Sequence, residues 1–269
     1  MGCLWLIGIG PGNHELLTIK ALEIAKKCEF RFLEGYTAVL AEDEELHMNN
    51  LIGGWEKLMR PAIENPEKLL SLAKSSDVAL LVIGDPLQAT THVDLQLRCQ
   101  EEGISCNVIP GISITTLIGI TGLQNYRFGR QTTMVYPFNN YLPTSPFETI
   151  LNNYQNDLHS LILFDLDPSG RGVDKQKPMK GDEATQIMFQ MINILKQDDG
   201  KYVDLITRET KAVLCCNLGL SNQNITYAPL KMIEKGVGWN DDALMGCLII
   251  PAKLHDIEKV ALERWAYTE

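Results

Sequence analysis

Glycines spaced two residues apart follow the first apolar run of the chain, where they could cradle a ligand: Gly8, Gly10 and Gly12. A dinucleotide site needs the spacing GxGxxG, whereas this chain has GIGPG. Pro11 also removes a backbone N–H that would face a pyrophosphate. Glu34 stands roughly where a ribose contact is expected, but the glycine spacing disfavours a nicotinamide site. Two interpretations of these glycines therefore remain: a tight strand-to-helix turn, or one corner of another small-molecule site.

Two later turns have the same character, GDPLQATTH at 84–92 and PGIS at 110–113. Asp85 could balance a cation or accept a hydrogen bond from a ligand, and Thr90 and Thr91 could cap the next helix. Taken alone, each turn is explained equally well as a plain turn with Asp-Pro at its corner. Because ligands of open α/β sheets bind at the carboxyl ends of the strands, the three turns together predict a small-molecule site.

No set of side chains in the sequence has the spacing of a known catalytic motif. His92, His159 and Asp165 could each be catalytic, but a structural histidine or a strand-end carboxylate is the favoured interpretation. No HExxH or CxxC motif occurs, so we expect no metal and assign no catalytic residue. An enzyme that works by positioning its reactants fits this pattern best.

Apolar runs alternate with helical patterns through the first half of the chain. The runs at 3–9, 78–83 and 106–109 are continuously apolar, as in strands that are buried on both faces. Helical spacing appears between them, for example at 16–28. We therefore predict an N-terminal α/β domain over 1–138, with a mostly parallel sheet and helices on both faces.

A change of composition marks the expected domain boundary. The sequence NNYLPTSP at 139–146 is rich in proline and has no helical or strand period, which predicts a linker at about 139–145. Residues 146–269 then form the second predicted domain, an α/β domain with a mixed sheet. It contains a polar, glycine-rich insert at 167–181 and a predicted strand near 202–206.

Charge and cysteine content narrow the function classes. The chain of 269 residues has 24 basic and 34 acidic side chains, a net charge of −10, which argues against binding nucleic acid through its phosphates. Its 7 cysteines are scattered, which is typical of a reducing compartment. The opening MGCLWLIGIG lacks a basic leader and is too short to span a membrane. We expect a cytoplasmic protein that does not bind a membrane.

The motifs, taken together and in order, resemble those of the diphthine synthase family. That family belongs to the tetrapyrrole methylase-like class of S-adenosylmethionine-dependent methyltransferases. GDPLQATTH combined with TGLQNYRFG separates it from the porphyrin and corrin methylases. The matching motifs run from the first strand to the last helix: GIGPG, LEGYTA, GDPLQATTH, VIPGIS, TGLQNYRFG, PTSPFE, LHSLILFDL and LIIPAKLH.

The resemblance implies a homodimer with a two-domain tetrapyrrole methylase-like fold. The cofactor would be S-adenosyl-L-methionine, held between the domains and released as S-adenosyl-L-homocysteine. The partner would be translation elongation factor 2, whose histidine carries an aminocarboxypropyl group. Its amine would be methylated, and in eukaryotic relatives a carboxylate as well. The amine must first lose a proton, for which we expect solvent to be the acceptor.

Family contacts to the cofactor carry over to eight positions of this chain. The turns of the first domain and three segments of the second would supply them: Pro11, Asp85, Gln88, Ser113, Ile114, Phe164, Leu218 and Gly246. We expect Asp85 to contact the ribose or the charged end of the cofactor.

Three departures from the family pattern bear on this assignment. The family usually has histidine where Gly246 stands and asparagine where Gly111 stands, and the insert after Asp167 is unusual. Two alternatives stay open: a porphyrin or corrin methylase of the same fold, and a non-catalytic module that binds a nucleoside.

Overall fold

Five parallel strands form a sheet in the N-terminal half of the computed structural model. Residues 2–139, 141–173, 176–197 and 202–268 are described. The strands are β1 (Cys3–Gly8), β2 (Phe30–Glu34), β3 (Glu56–Leu58), β4 (Asp77–Val82) and β5 (Ser105–Ile109). Their order across the sheet is β3-β2-β4-β1-β5. The predicted parallel sheet is confirmed.

Helices cover this sheet because both sets of strand side chains are apolar and buried. Leu6 and Leu80 lie on one face and Ile7 and Leu81 on the other, and all four are 0% exposed. The helices of this region are α1 (Ile19–Lys27), α2 (Glu42–Ile52), α3 (Arg60–Glu64), α4 (Glu67–Ala73), α5 (Val93–Glu101) and α6 (Ile114–Leu117).

A mixed sheet forms the second half of the chain, as predicted. Its strands are β6 (Thr132–Met134), β7 (Ser160–Phe164), β8 (Lys211–Cys216), β9 (Asn224–Pro229) and β10 (Gly246–Ile250). They are ordered β6-β7-β10-β8-β9, with only β6 and β7 parallel among these described strands. The helices are α7 (Ser145–Gln155), α8 (Gly181–Gln197), α9 (Leu230–Ile233) and α10 (Asp256–Glu263).

The chain divides into two units at a different place from the expected linker. The first unit is Met1–Leu117 with Arg171–Gln176, and the second is Ile118–Gly170 with Lys177–Glu269. The division falls before 139–145 because β6 pairs with β7 in the second sheet. Part of the polar insert belongs to the first unit, where the Arg60 nitrogen donates to the Gly172 oxygen at 3.2 Å. Asn140 of the expected linker and residues 174–175 of the insert lie outside the described residues.

The predicted strand near 202–206 is wrong. Tyr202 has a positive φ of 66°, and residues Val203–Leu205 form a 3-10 turn instead. The strands that pair with β8 are β10 and β9, and residues 225–228 of β9 are all buried. Val203 and Ile206 are apolar because they are buried in the core, and this apolar pattern resembles that of a strand.

Candidate active site

The turns that follow β1, β4 and β5 leave the first sheet at one edge. In this parallel sheet Gly8 pairs with Val82, and Ile7 pairs with Ile109. The carboxyl ends of the three strands are therefore neighbours, as the sequence predicts. These turns and the start of α6 bring five of the predicted cofactor residues to that edge: Pro11, Asp85, Gln88, Ser113 and Ile114.

Glycines make the junction at which these turns meet. A Cβ atom on Gly8 would lie 2.5 Å from the Gly111 nitrogen and 2.7 Å from the Gly84 oxygen. A Cβ on Gly111 would lie 2.1 Å from the same oxygen. Gly84, with φ of +83°, exchanges two backbone hydrogen bonds with Gly10, at 2.6 and 3.3 Å. Close backbone packing therefore requires glycine at this junction.

Asp85 joins two of the turns. Its Oδ1 accepts a hydrogen bond from the Leu87 nitrogen at 2.9 Å, and its Oδ2 accepts one from the Gly111 nitrogen at 3.1 Å. Each carboxylate oxygen retains a second lone pair for a ligand. Gln88, two residues after the proline of this turn, is exposed. The half-buried carboxylate thus shapes the edge of the sheet and remains able to accept from a ligand.

The Pro86 carbonyl holds the rest of this turn in place. It accepts hydrogen bonds from the Thr90 hydroxyl at 2.5 Å and from Nδ1 of His92 at 3.0 Å. Burial lowers the pKa of His92, which keeps the imidazole neutral, and Nε2 has no partner among the described residues. The expected threonine cap of the next helix is wrong: α5 begins after His92 without a side-chain cap. Thr90 and His92 instead hold the loop that carries Asp85.

Ser113 shapes the third turn. Its side chain is buried and its Oγ accepts a hydrogen bond from the Thr115 nitrogen at 3.3 Å, at the start of α6. Ile114, the first residue of α6, is half-buried, as is Pro11 in the turn after β1. These three residues contribute small or apolar surface to the edge.

Phe164, Leu218 and Gly246 lie at one edge of the second sheet. Gly246 pairs with Cys216, and the next residue, Cys247, pairs with Leu163, so Phe164 ends its strand beside Gly246. Leu218 is buried two residues after the end of β8. The structure therefore brings these three predicted residues together within the second unit.

Asn217 fixes the backbone around this edge. It has a positive φ of 50° and is 5% exposed. Its Oδ1 accepts hydrogen bonds from the Leu244 and Met245 nitrogens at 3.0 and 3.2 Å, and its Nδ2 donates to the Asp242 oxygen at 3.3 Å. The segment that leads into β10 is thus tied to the turn after β8. Asparagine tolerates this left-handed conformation better than most residues.

The residues of the first unit fit a sulfonium nucleoside. A carboxylate with free lone pairs suits the hydroxyl groups or the ammonium group of such a ligand, and Asp85 supplies it. The glycines at 8, 84 and 111 pack against one another's backbone and so hold the three turns together beside Asp85.

Comparison with protein families decides the class of this fold. A family model described as Tetrapyrrole (Corrin/Porphyrin) Methylases matches residues 3–234. The chain belongs to the tetrapyrrole methylase family.

This methylase is similar to several diphthine synthases, and the similarity covers nearly the full length of the chains. It is 34% identical to the diphthine synthase of Methanocaldococcus jannaschii, over 97% of both chains. It is 32% identical to the diphthine methyl ester synthase of Aspergillus fumigatus, over 98% of this chain and 93% of that one. A crystal structure of an Entamoeba histolytica protein assigned as a diphthine synthase superposes with a TM-score of 0.84 at 31% identity, covering 100% of each chain. These matches confirm the expected methyltransferase and its resemblance to the diphthine synthases.

Local packing in this methylase explains the two glycine departures. A Cβ on Gly246 would lie 2.6 Å from Cζ3 of Trp239, so the indole ring fills the space that a histidine would need. The same ring lies 6.4 Å from that of Phe164. At Gly111, the approach of the Gly84 oxygen leaves no room for an asparagine side chain in this arrangement.

Glutamate, histidine and arginine side chains, the residue types of a catalytic group, form a buried cluster in the second unit. Glu258, 0% exposed, accepts hydrogen bonds from Nε2 of His159 at 3.0 Å and from Arg127 at 2.5 Å. Nδ1 of His159 accepts from the Ala252 nitrogen at 3.0 Å, so Nε2 carries the proton. A fully buried ring with both nitrogens hydrogen-bonded is what the structural interpretation of His159 predicts. Arg127 belongs to the motif TGLQNYRFG, so this motif supplies part of the cluster of Arg127, His159 and Glu258. We call this cluster the brace.

Asp165 also has a structural position. Its Oδ2 accepts from the Tyr136 nitrogen at 3.2 Å, and its Oδ1 accepts from the nitrogens of Leu166 and Asp167 at 2.7 and 3.1 Å. The carboxylate thus ties the turn after β7 to the segment after β6, as expected for a strand-end carboxylate.

Neither a metal-binding cluster nor a membrane-spanning helix is found in the described part of the chain. Within it, no three His, Cys, Asp or Glu side chains are grouped so that they could hold a metal ion. Among the same residues, no helix has the length and apolar character to cross a membrane.

Proposed function

We propose that this methylase transfers a methyl group from S-adenosyl-L-methionine to the modified histidine of translation elongation factor 2, the reaction of a diphthine synthase. The observation that carries the proposal is the meeting of three glycine-bearing turns at the carboxyl edge of β1, β4 and β5. Similarity to diphthine synthases over nearly the whole chain supports the choice of substrate.

Eight residues would hold the cofactor. In the first unit, Asp85 would accept from its ribose or its charged end, and the neighbouring turns would supply backbone groups and apolar surface. In the second unit, Phe164 would contribute an apolar face beside the turn of Leu218. The full set is Pro11, Asp85, Gln88, Ser113, Ile114, Phe164, Leu218 and Gly246.

The chemistry suits a protein with few reactive side chains. The cofactor supplies a methyl group that is already activated by a positively charged sulfur. The residues therefore need to align a neutral amine and exclude water, and no protein nucleophile is required. The enzyme would work as a cytoplasmic homodimer that binds elongation factor 2.

A labelled-methyl assay tests this function. Purified enzyme is mixed with labelled cofactor and elongation factor 2 whose histidine carries the aminocarboxypropyl group, and mass spectrometry of the histidine peptide counts the methyl groups. We expect label on the side-chain amine. Cofactor binding without any incorporation would favour a non-catalytic module. Binding of a tetrapyrrole, visible from its absorption, would favour the porphyrin and corrin branch.

A further inference from the structure

A buried carboxyl group at the end of β2 has no role in the function described so far. Glu34 is 0% exposed. Its Oε2 accepts a hydrogen bond from the Thr37 hydroxyl at 2.5 Å, and its Oε1 accepts one from the Thr37 nitrogen at 3.2 Å. Thr37 itself is half-buried, so Thr37, unlike Glu34, is partly exposed at the surface of this unit.

Glu34 lies at the same sheet edge as the turns of the proposed site. Strand β2 is the direct neighbour of β4, where Leu33 pairs with Leu81. Glu34 is therefore level with Val82, two residues before Gly84. Neighbouring strands are about 4.8 Å apart, so the carboxyl group starts one strand away from the turn that carries Asp85.

Burial prepares Glu34 to exchange a proton near neutral pH. Burial raises the pKa of Glu34 to about 7. The hydrogen bonds from Thr37 and the Tyr36 nitrogen and the charge of Arg60 lower this pKa, but burial outweighs them. A group whose pKa is close to the working pH is best suited to general base catalysis. The charge of Arg60 and the phenol of Tyr36 act on Glu34 directly, while Lys57 lies against the adjacent Gly35 and Glu64 acts on Tyr36.

We propose that Thr37 and Glu34 take up the proton that the substrate amine must lose before methyl transfer. This inference rests on the proposed function. The ammonium N–H bond breaks and its proton passes to Thr37 Oγ, while the hydroxyl proton of Thr37 passes to the Glu34 carboxylate. The nitrogen keeps its electron pair as a neutral amine. Glu34, now a neutral acid, returns the proton to solvent through Thr37 before the next turnover.

A purely structural role for Glu34 makes a different prediction. Glutamine at this position has the same shape, and its amide can still accept from the Thr37 nitrogen and donate to the Thr37 oxygen. Glu34→Gln therefore preserves the turn but cannot take up a proton. Thr37→Val removes the relaying hydroxyl, and Thr37→Ser restores it.

The test compares these variants with wild type and with Glu56→Gln, an exposed carboxylate on the neighbouring strand β3. Single-turnover methyl transfer to elongation factor 2 is measured from pH 6 to 9.5. Calorimetry gives the cofactor dissociation constant, and infrared difference spectroscopy of the protein alone follows carboxyl titration.

We expect a wild-type rate that falls as the pH drops through about 7. Glu34→Gln and Thr37→Val should be slower by about 10²-fold at pH 7, and the gap should close at high pH, where the amine deprotonates by itself. Thr37→Ser and Glu56→Gln should keep most of the rate. All variants should bind the cofactor like wild type, and the carboxyl titrating near pH 7 should be missing from Glu34→Gln.

Two results overturn the inference alone: full activity of Glu34→Gln at pH 7, or an equal loss of its activity at every pH. An active wild type identifies these as failures of Glu34 and not of the proposed function. A wild type that binds cofactor but methylates nothing overturns both.

Discussion

Removing the Glu258 carboxylate should destabilise the second unit strongly. Glu258 accepts four hydrogen bonds while fully buried: from Arg127, from His159 and from the backbone nitrogens of Gln124 and His255. In Glu258→Gln, one carboxylate oxygen becomes an NH₂ group that faces donors. Breaking a buried ion pair on one side costs about 3–5 kcal/mol.

The pKa of Glu258 gives a second route to this magnitude. Burial alone would raise it, but the hydrogen bonds from the His255 and Gln124 nitrogens and from His159 outweigh burial and lower it to about 2. Relative to an ordinary value of 4.5, this corresponds to about 3 kcal/mol of stability. Because the unfolded carboxylate takes up its proton first, this stability is present above pH 4.5 and is lost as the pH falls towards 2.

Urea denaturation followed by circular dichroism between pH 2.5 and 7 tests both statements. Glu258→Gln should be less stable than wild type at pH 7, and the difference should shrink with decreasing pH. Glu263→Gln, which alters an exposed carboxylate of the same helix, is the control and should change stability by less than about 0.5 kcal/mol. A Glu258→Gln protein as stable as the control variant at pH 7 would refute the reasoning.

Three further predictions concern the two sheet edges. Asp85→Ala should weaken cofactor binding about tenfold or more in calorimetry, since a hydrogen bond to a charged group contributes about 1.5–3 kcal/mol, and unchanged affinity would contradict its assignment. His92→Leu should weaken cofactor binding, whereas His92→Asn should not, because the asparagine amide can still donate to the Pro86 carbonyl. An equal loss of cofactor affinity in both variants would argue against a role for that hydrogen bond. Gly246→His should lower the melting temperature because the new side chain clashes with Trp239, an overpacking cost of about 1–3 kcal/mol. Adding Trp239→Ala should restore part of the lost stability. An unchanged melting temperature in Gly246→His alone would show that the ring moves freely.

The parts of the fold that sequence predicts well are those with a local cause. Strands β1 and β4 are continuously apolar because helices cover both of their faces, and this pattern is visible in a short window. The turns after them are marked by glycines that the junction requires. The same local reasoning fails at 202–206, where Val203 and Ile206 are buried in a 3-10 turn and its flank and not in a strand.

Long-range contacts account for what the sequence does not reveal. Nothing near Glu258 indicates that its partner Arg127 lies 131 positions earlier. Glu34 resembles a ribose ligand in the sequence, and only the sheet shows that its carboxyl group is fully buried against Thr37. Likewise, the place of Trp239 over Gly246 follows from the fold and from no local motif.

The brace around Glu258 also has a consequence for how enzymes of this kind are recognised. Histidine, glutamate and arginine stand within hydrogen-bond reach of one another there, yet every lone pair that His159 offers is already satisfied and the carboxylate has no access to solvent. Surveys that look for clustered ionisable groups would select this spot and overlook a corner built of glycine and proline. A cluster of ionisable side chains in such a protein is therefore not by itself evidence of the place where the reaction occurs.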